Sequence, residues 1–172
     1  TTLFRSEADK KEFVQLIQDN KGIIFKVCNA YCANIHDRED LAQEIIYNVW
    51  KSWSSFDNSY KFSTWMYRIA LNVAISFYRK QHTTTKTISF EATDTEIADK
   101  TGHYDTSAEN SALLQQFINE LNMLDRALML LHIDGKTYAE IALILGITET
   151  NTATKINRIK NTLKTKVSVL KK

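Results

Sequence analysis

Apolar residues recur at spacings of three and four along most of the chain, the period of an α-helix that buries one face. Phe13, Leu16, Ile17, Ile24, Val27, Cys28, Tyr31 and Ile35 predict a first helical stretch, broken or kinked near Gly22. Leu41, Ile45, Val49, Trp50 and Trp53 predict a second, and Trp65, Ile69, Val73 and Phe77 a third. For most of these positions, packing of helix on helix is explanation enough. From His82 to Asp105 the pattern lapses into threonines, with Glu91, Asp94, Glu96, Asp99 and Asp105 against only Lys86 and Lys100. Few of these side chains offer an apolar face to bury, which predicts an acidic, mobile linker over 82–105 between units at 1–81 and 106–172.

Helical order resumes at Thr106 and Glu109, spaced as a capping box in which hydroxyl and carboxylate satisfy free backbone N–H groups. Leu113, Leu114, Phe117, Ile118 and Leu121 follow as one buried stripe. A shorter helix over Asp125–Ile133 is predicted to stop at the turn Asp134-Gly135.

The segment KTYAEIALILGITETNTATKINRIKNTLK then reads as a helix-turn-helix. Thr137 and Glu140 form another capping box, and Ala142 is small where two helices cross closely. Gly146 suits a tight turn, and Thr148 caps the next helix. Ile141, Leu145 and Ile147 hold the two helices together. In the second helix Ile156, Ile159 and Leu163 point inward, while Thr154, Lys155, Asn157, Arg158 and Lys160 fall largely outside. Amide and guanidinium groups on such a face bond base edges in a major groove, and lysines neutralise phosphates. A helical hairpin with a solvated basic surface has the same periodicity; the Ala–Gly spacing and the absence of acids favour DNA.

Composition narrows the class. The chain has 172 residues, 44% hydrophobic and 24% charged, which suits one ordinary domain or two small ones. No proline and only 4 glycines favour long helices, hence an all-α fold. No apolar run is long enough to span a bilayer, so no membrane insertion is expected. The first residues lack a signal-peptide pattern, giving a cytoplasmic expectation for a complete chain. Net charge is only +2, but beyond Glu149 no acid appears, while Lys155, Arg158, Lys160, Lys164, Lys166, Lys171 and Lys172 do. A tail of one sign suits a polyanionic partner. Cys28, Cys32 and His36 would share one face of a continuous helix, a conceivable metal site; with no fourth ligand evident, two small buried side chains and a surface histidine are the plainer account. No cofactor is expected.

The segment DREDLAQEIIYNVWKSW buries Leu41, Ile45, Val49 and Trp53 and leaves Asp40, Gln43, Glu44 and Asn48 on a polar face. It is followed by KFSTWMYRIALNVAISFYRKQ, with Trp65 and Ile69 inward and Arg68, Asn72, Arg79 and Lys80 outward. Paired with each other, a linker and a terminal helix-turn-helix, these segments resemble the extracytoplasmic-function group of sigma factors in the sigma-70 family. Their two domains are a sigma-2 bundle and a sigma-4 helix-turn-helix. The resemblance covers nearly all of the chain except the linker and the extreme ends.

The resemblance implies a transcription initiation factor and not an enzyme: a subunit that binds core RNA polymerase at its clamp and flap regions and reads promoter DNA. Asp40, Gln43, Glu44 and Asn48 are its candidates for the clamp. The loop Asp57 to Lys61 and the helix after it would handle the melted −10 element, with Lys61, Arg68, Asn72, Arg79 and Lys80 as contacts. An asparagine offers both donor and acceptor to an unpaired base edge. Trp65 and Tyr67 are stacking candidates, Trp65 better placed as core. Ala153, Thr154, Lys155, Asn157, Arg158 and Lys160 would meet the −35 element. The linker would run toward the RNA path, and an anti-sigma factor is an expected partner. Three departures stand out. Asn122 occupies a place where Leu-Pro is common, Thr152 replaces a usual valine, and Ala153 replaces a frequent basic residue, which leaves the −35 preference open. The rival readings are a stand-alone helix-turn-helix regulator and a helical adaptor; no catalytic carboxylate pair, glycine-rich phosphate loop or nucleophile signature supports an enzyme.

Overall fold

The computed structural model describes residues 6–88 and 106–170, with side chains over 6–83 and 113–168. Most of the predicted linker, including its acids, lies outside these residues, as do the side chains of Thr106 and Glu109. Every regular element among the described residues is helical: α1 (Glu7–Asp19), α2 (Lys21–Tyr31), α3 (Ile35–Ser52), a 3-10 turn (Trp53–Ser55), α4 (Phe62–Ile88), α5 (Thr106–Glu120), α6 (Met123–Ile133), α7 (Tyr138–Leu145) and α8 (Glu149–Leu170). The all-α expectation holds.

The first predicted stretch is divided differently. α1 stops at Asn20, whose backbone N–H already reaches back into the last turn, so the break falls two residues before Gly22. α2 then ends at Cys32, and Asn34 opens α3 by accepting the Asp37 N–H at 2.8 Å. Ile35 therefore belongs to α3. Cys28, Cys32 and His36 do not sit on one continuous helix, which removes the geometry on which a metal reading rested. Both thiols are buried, and burial pushes each up to about 11, since a thiolate loses hydration there.

In the N-terminal bundle, Leu41, Ile45 and Val49 of α3 are fully buried against Met66, Ala70 and Ala74 of α4 and Val27 of α2. Trp53 closes one end. Its ring meets Phe13 edge-on at 5.2 Å and Phe56 face-on at 5.6 Å, and its indole N–H reaches Asp9 at 2.9 Å. Aromatic packing of this kind adds area burial and fixes orientation together. α4 runs to Ile88, past position 82, where the sequence puts the start of the linker.

In the C-terminal bundle the local signals act as predicted. Thr137 and Glu140 form a complete capping box, Gly146 takes φ 68° in the left-handed region, and Thr148 accepts the Asn151 N–H at 3.1 Å. Asn122 caps α6 by accepting the Asp125 N–H at 3.0 Å, so the asparagine does the work of a helix start without proline. Thr152 is fully buried, but its hydroxyl donates to the Thr148 carbonyl at 3.0 Å, so the departure from valine leaves no polar atom unpaired. Ile141, Ile144, Ile156 and Ile159 form the buried seam of the motif.

The two bundles are in contact. α6 and α7 lie against α2 and α4, and one continuous buried cluster runs through both units.

Candidate nucleic-acid interface

Three polar surfaces stand on helices whose opposite faces are buried. On α3, Asp40, Gln43 and Glu44 project away from the Leu41–Ile45–Val49 stripe, with Asp40 and Gln43 exposed. Asn48 flanks them and donates its amide to the Glu44 carbonyl at 2.8 Å. Tyr47, three and four residues on from Glu44 and Gln43, is 55% exposed on the same face. The sequence reading missed it because an aromatic at helical spacing is usually core.

Lys61, just before α4, and Arg68, Asn72 and Arg79 on it are all exposed and recur at multiples of the helical turn, so they form one stripe along the helix. Lys80 is exposed on the adjoining face, 4.0 Å from Glu44, and ties this surface to α3. Before α4 the backbone turns sharply: Asp57 accepts the Ser59 N–H at 3.0 Å, Asn58 takes φ 61°, and Tyr60 is 52% exposed. This Asx turn holds the Asp57 carboxyl below its ordinary value through the Ser59 hydrogen bonds. Tyr60 thus offers an aromatic face at the end of the stripe.

The two stacking candidates separate. Trp65 is half-buried among Trp53, Phe56 and Phe62, with its ring 4.9 Å from Phe56. Tyr67 is fully buried and its hydroxyl donates to Asp134 at 2.8 Å, so it is withdrawn from any base.

On α8, Thr154, Asn157 and Arg158 are exposed opposite the Thr152–Ile156–Ile159 seam, and Thr150 and Asn161 extend the same face by one turn each way. Ala153, Lys155 and Lys160 flank it, half-buried. Lys160 lies close enough to His132 that its charge, after burial of the imidazole, helps hold that histidine below its ordinary value. Arg158 is anchored: its guanidinium donates to the Asp125 carboxylate at 2.8 Å, and Asp125 is itself held by the Asn122 amide at 2.8 Å. A guanidinium fixed on one side and exposed on the other is pre-organised, so less rotamer freedom is lost when it meets an anion.

Among the described residues, no group of three or more His, Cys, Asp or Glu side chains is placed to hold a metal, and no helix is long and apolar enough to cross a membrane.

The family description "Sigma-70 region 2" matches residues 16–84, and "Sigma-70, region 4" matches 111–163. The ECF RNA polymerase sigma factor SigW of Bacillus subtilis (strain 168) is 32% identical over 169 residues, covering 92% of this chain and 90% of that protein. The RNA polymerase sigma factor NccH of Alcaligenes xylosoxydans xylosoxydans is 25% identical over 148 residues, covering 82% and 78%. Among solved structures, the sigma factor RpoE from Bartonella quintana, in complex with the anti-sigma factor NepR, superposes with TM-score 0.66 at 18% identity over 95% of this chain and 99% of that one. CnrH, solved with the cytosolic domain of CnrY, gives 0.67 at 18% identity over 93% and 90%.

Proposed function

The chain belongs to the extracytoplasmic-function group of the sigma-70 family, and from that premise we propose that it binds core RNA polymerase, directs it to promoters and assists melting of the −10 element. One observation carries the reading: the exposed stripe of α4 and the exposed face of α8 stand in separately matched regions, each backed by a buried seam. Two such surfaces on one chain suit a reader of two separated DNA segments.

In this reading Asp40, Gln43, Glu44 and Asn48, joined by Tyr47, meet the polymerase clamp, and region 4 meets the flap. Lys61, Arg68, Arg79 and Lys80 neutralise backbone phosphates along the melted strand. The Asn72 amide bonds the edge of an extruded base, a site at which unstacking has already been supplied by melting. On α8, Asn157 and Arg158 reach base edges of the −35 element, with Thr154 beside them, Lys155 and Lys160 on phosphates and Ala153 leaving room at the groove wall. An anti-sigma factor that covers the polymerase-facing surfaces is a further expected partner, and the protein acts where polymerase is, in the cytoplasm.

Run-off transcription with purified core polymerase tests the proposal. Transcripts that start at defined promoters only when this chain is added support it. No association with core enzyme, together with stable duplex binding by the free protein, would instead favour a stand-alone helix-turn-helix regulator.

A further inference from the structure

A cleft of about 710 Å³ opens where the end of α2 and the start of α3 face α4, α5 and α6. Its size is that of sites that hold small molecules. None of the residues assigned above to DNA or polymerase lines it.

Two arginines from different helices do. Arg38 of α3 donates through Nε to the Cys32 carbonyl and through Nη2 to the Ala33 carbonyl, each at 3.0 Å. Arg126 of α6 lies deeper and is 6% exposed. Its Nη1 donates to the Ala30 carbonyl at 3.1 Å, and its Nη2 to the Asn119 and Leu121 carbonyls at 2.7 and 3.2 Å. The Arg126 Nε–H differs: it is buried, and no described residue accepts from it. Folded proteins seldom leave such a donor unpaired, because the hydration it loses is not replaced. Here the unpaired donor belongs to a cation that lines an open polar cleft, so an acceptor arriving through the cleft supplies the missing bond.

The surrounding charge favours an anion. Asp37 is the one acid among the described residues of the lining, and it already accepts the Asn34 amide at the start of α3. The negative end of α2 is met by the arginines bonded to its last carbonyls and by the positive start of α3 beside it. Two guanidinium charges therefore exceed what opposes them. The rings of Tyr31 and Tyr78, each centred 5.5 Å from the Arg126 guanidinium carbon, hold that charge in place. His82 stacks on Tyr78 at 3.7 Å and is exposed at the rim. Side-chain amides of Asn29, Gln115 and Asn119 add donors and acceptors around it.

We propose that this cleft is a binding site for a small phosphoryl anion, either free phosphate or the phosphate of a nucleotide-sized ester, seated on Arg126 and Arg38. A guanidinium presents its donors in a planar fork that matches two phosphoryl oxygens, and two such groups suit a dianion better than a single carboxylate. A phosphoryl oxygen on Nε satisfies the last donor of Arg126. With an ester, the amides and the exposed His82 ring receive the remainder of the molecule. The site stands apart from promoter reading, since it shares no residue with either proposed DNA surface.

Titration of the full-length chain with inorganic phosphate, adenosine monophosphate and adenosine, at constant ionic strength, tests the proposal by nuclear magnetic resonance of the arginine Nε–H groups and by thermal unfolding. Both phosphates are expected to move the Arg126 Nε–H signal, and at about ten times Kd to raise Tm by roughly 3 °C. Adenosine should do neither. Tighter binding of the nucleotide identifies an ester as the ligand, equal affinity identifies free phosphate, and either result supports the site. Arg38→Gln should weaken phosphate binding by about tenfold or more, with its Tm shift read against the ligand-free variant. Arg158→Ala, on the α8 face, should bind phosphate as wild type does.

Three results would overturn the proposal. One is a Kd for both phosphates weaker than about 10 mM. Another is a rise in Tm while the Arg126 signal stays still, which would seat the anion elsewhere. The third is phosphate affinity kept by Arg38→Gln but lost by Arg158→Ala, which would assign it to the α8 face.

Discussion

Replacing Arg158 with alanine should have two separable effects, because the guanidinium faces two ways. Inward, it bonds Asp125, whose side chain is 9% exposed, while the Arg158 side chain is 60% exposed. A pair with one partner so solvated contributes about 1 kcal/mol at most, and Asp125 keeps the Asn122 amide, so its burial is not left bare. For a chain of this size that corresponds to a fall in Tm of roughly 2–4 °C. Outward, loss of a base contact costs about 1–3 kcal/mol, or roughly five- to 150-fold in transcription from a −35-dependent promoter. Loss of a phosphate contact instead lowers the slope of log affinity against log salt by about 0.9. Run-off transcription over a salt series, with calorimetry alongside, separates these outcomes. Arg158→Lys keeps the charge and should preserve the salt slope while losing base discrimination. Asn157→Ala, whose side chain is exposed on the same face, should weaken transcription with no change in Tm. If Arg158→Ala lowered activity only in proportion to unfolded protein, and Asn157→Ala left it unchanged, the α8 face would not be the reader.

Asn72→Ala should reduce promoter opening, read by permanganate reactivity of unpaired thymines, far more than binding to core polymerase; equal loss of both would remove its role at the extruded base. Asn122→Ala deletes the cap of α6 and should lower stability by about 1 kcal/mol in denaturant titration, and an unchanged midpoint would contradict the cap assignment. Cys28 and Cys32, raised by burial from 9.0 to about 11, should alkylate about a hundredfold more slowly at pH 8 than a thiol at the ordinary value. The rate should rise about tenfold per pH unit up to pH 10, since only the thiolate reacts. Fast labelling at neutral pH would contradict their burial.

The sequence by itself determined most of what depends on neighbours within a turn or two of helix. The stripe Leu41–Ile45–Val49 is buried, Gly146 takes the left-handed turn, and Thr137 with Glu140 closes the box, because periodicity and capping act over three or four residues. The polar faces of α3, α4 and α8 followed as the complements of those stripes, and the order of two motifs along the chain carried the family. Even local reasoning slipped where one residue decides a boundary. Asn34 restarts a helix that the apolar pattern had run straight through, and α4 extends through threonines whose own preference for helix is weak.

What only the tertiary structure decided is the meaning of Tyr67, Arg126 and Asp134. Tyr67 has the spacing of a core residue and the chemistry of a stacking one, Asp134 looks like a turn residue, and Arg126 looks like surface charge. Tyr67 meets Asp134 across 67 residues, Asp134 meets Lys26 across 108, and Arg126, besides the nearby Asn119 and Leu121 carbonyls, meets Ala30 across 96. No local periodicity encodes a bond across that distance. A buried charge is stable only where another part of the chain supplies its hydrogen bonds, so its role becomes visible only once the two regions are seen together.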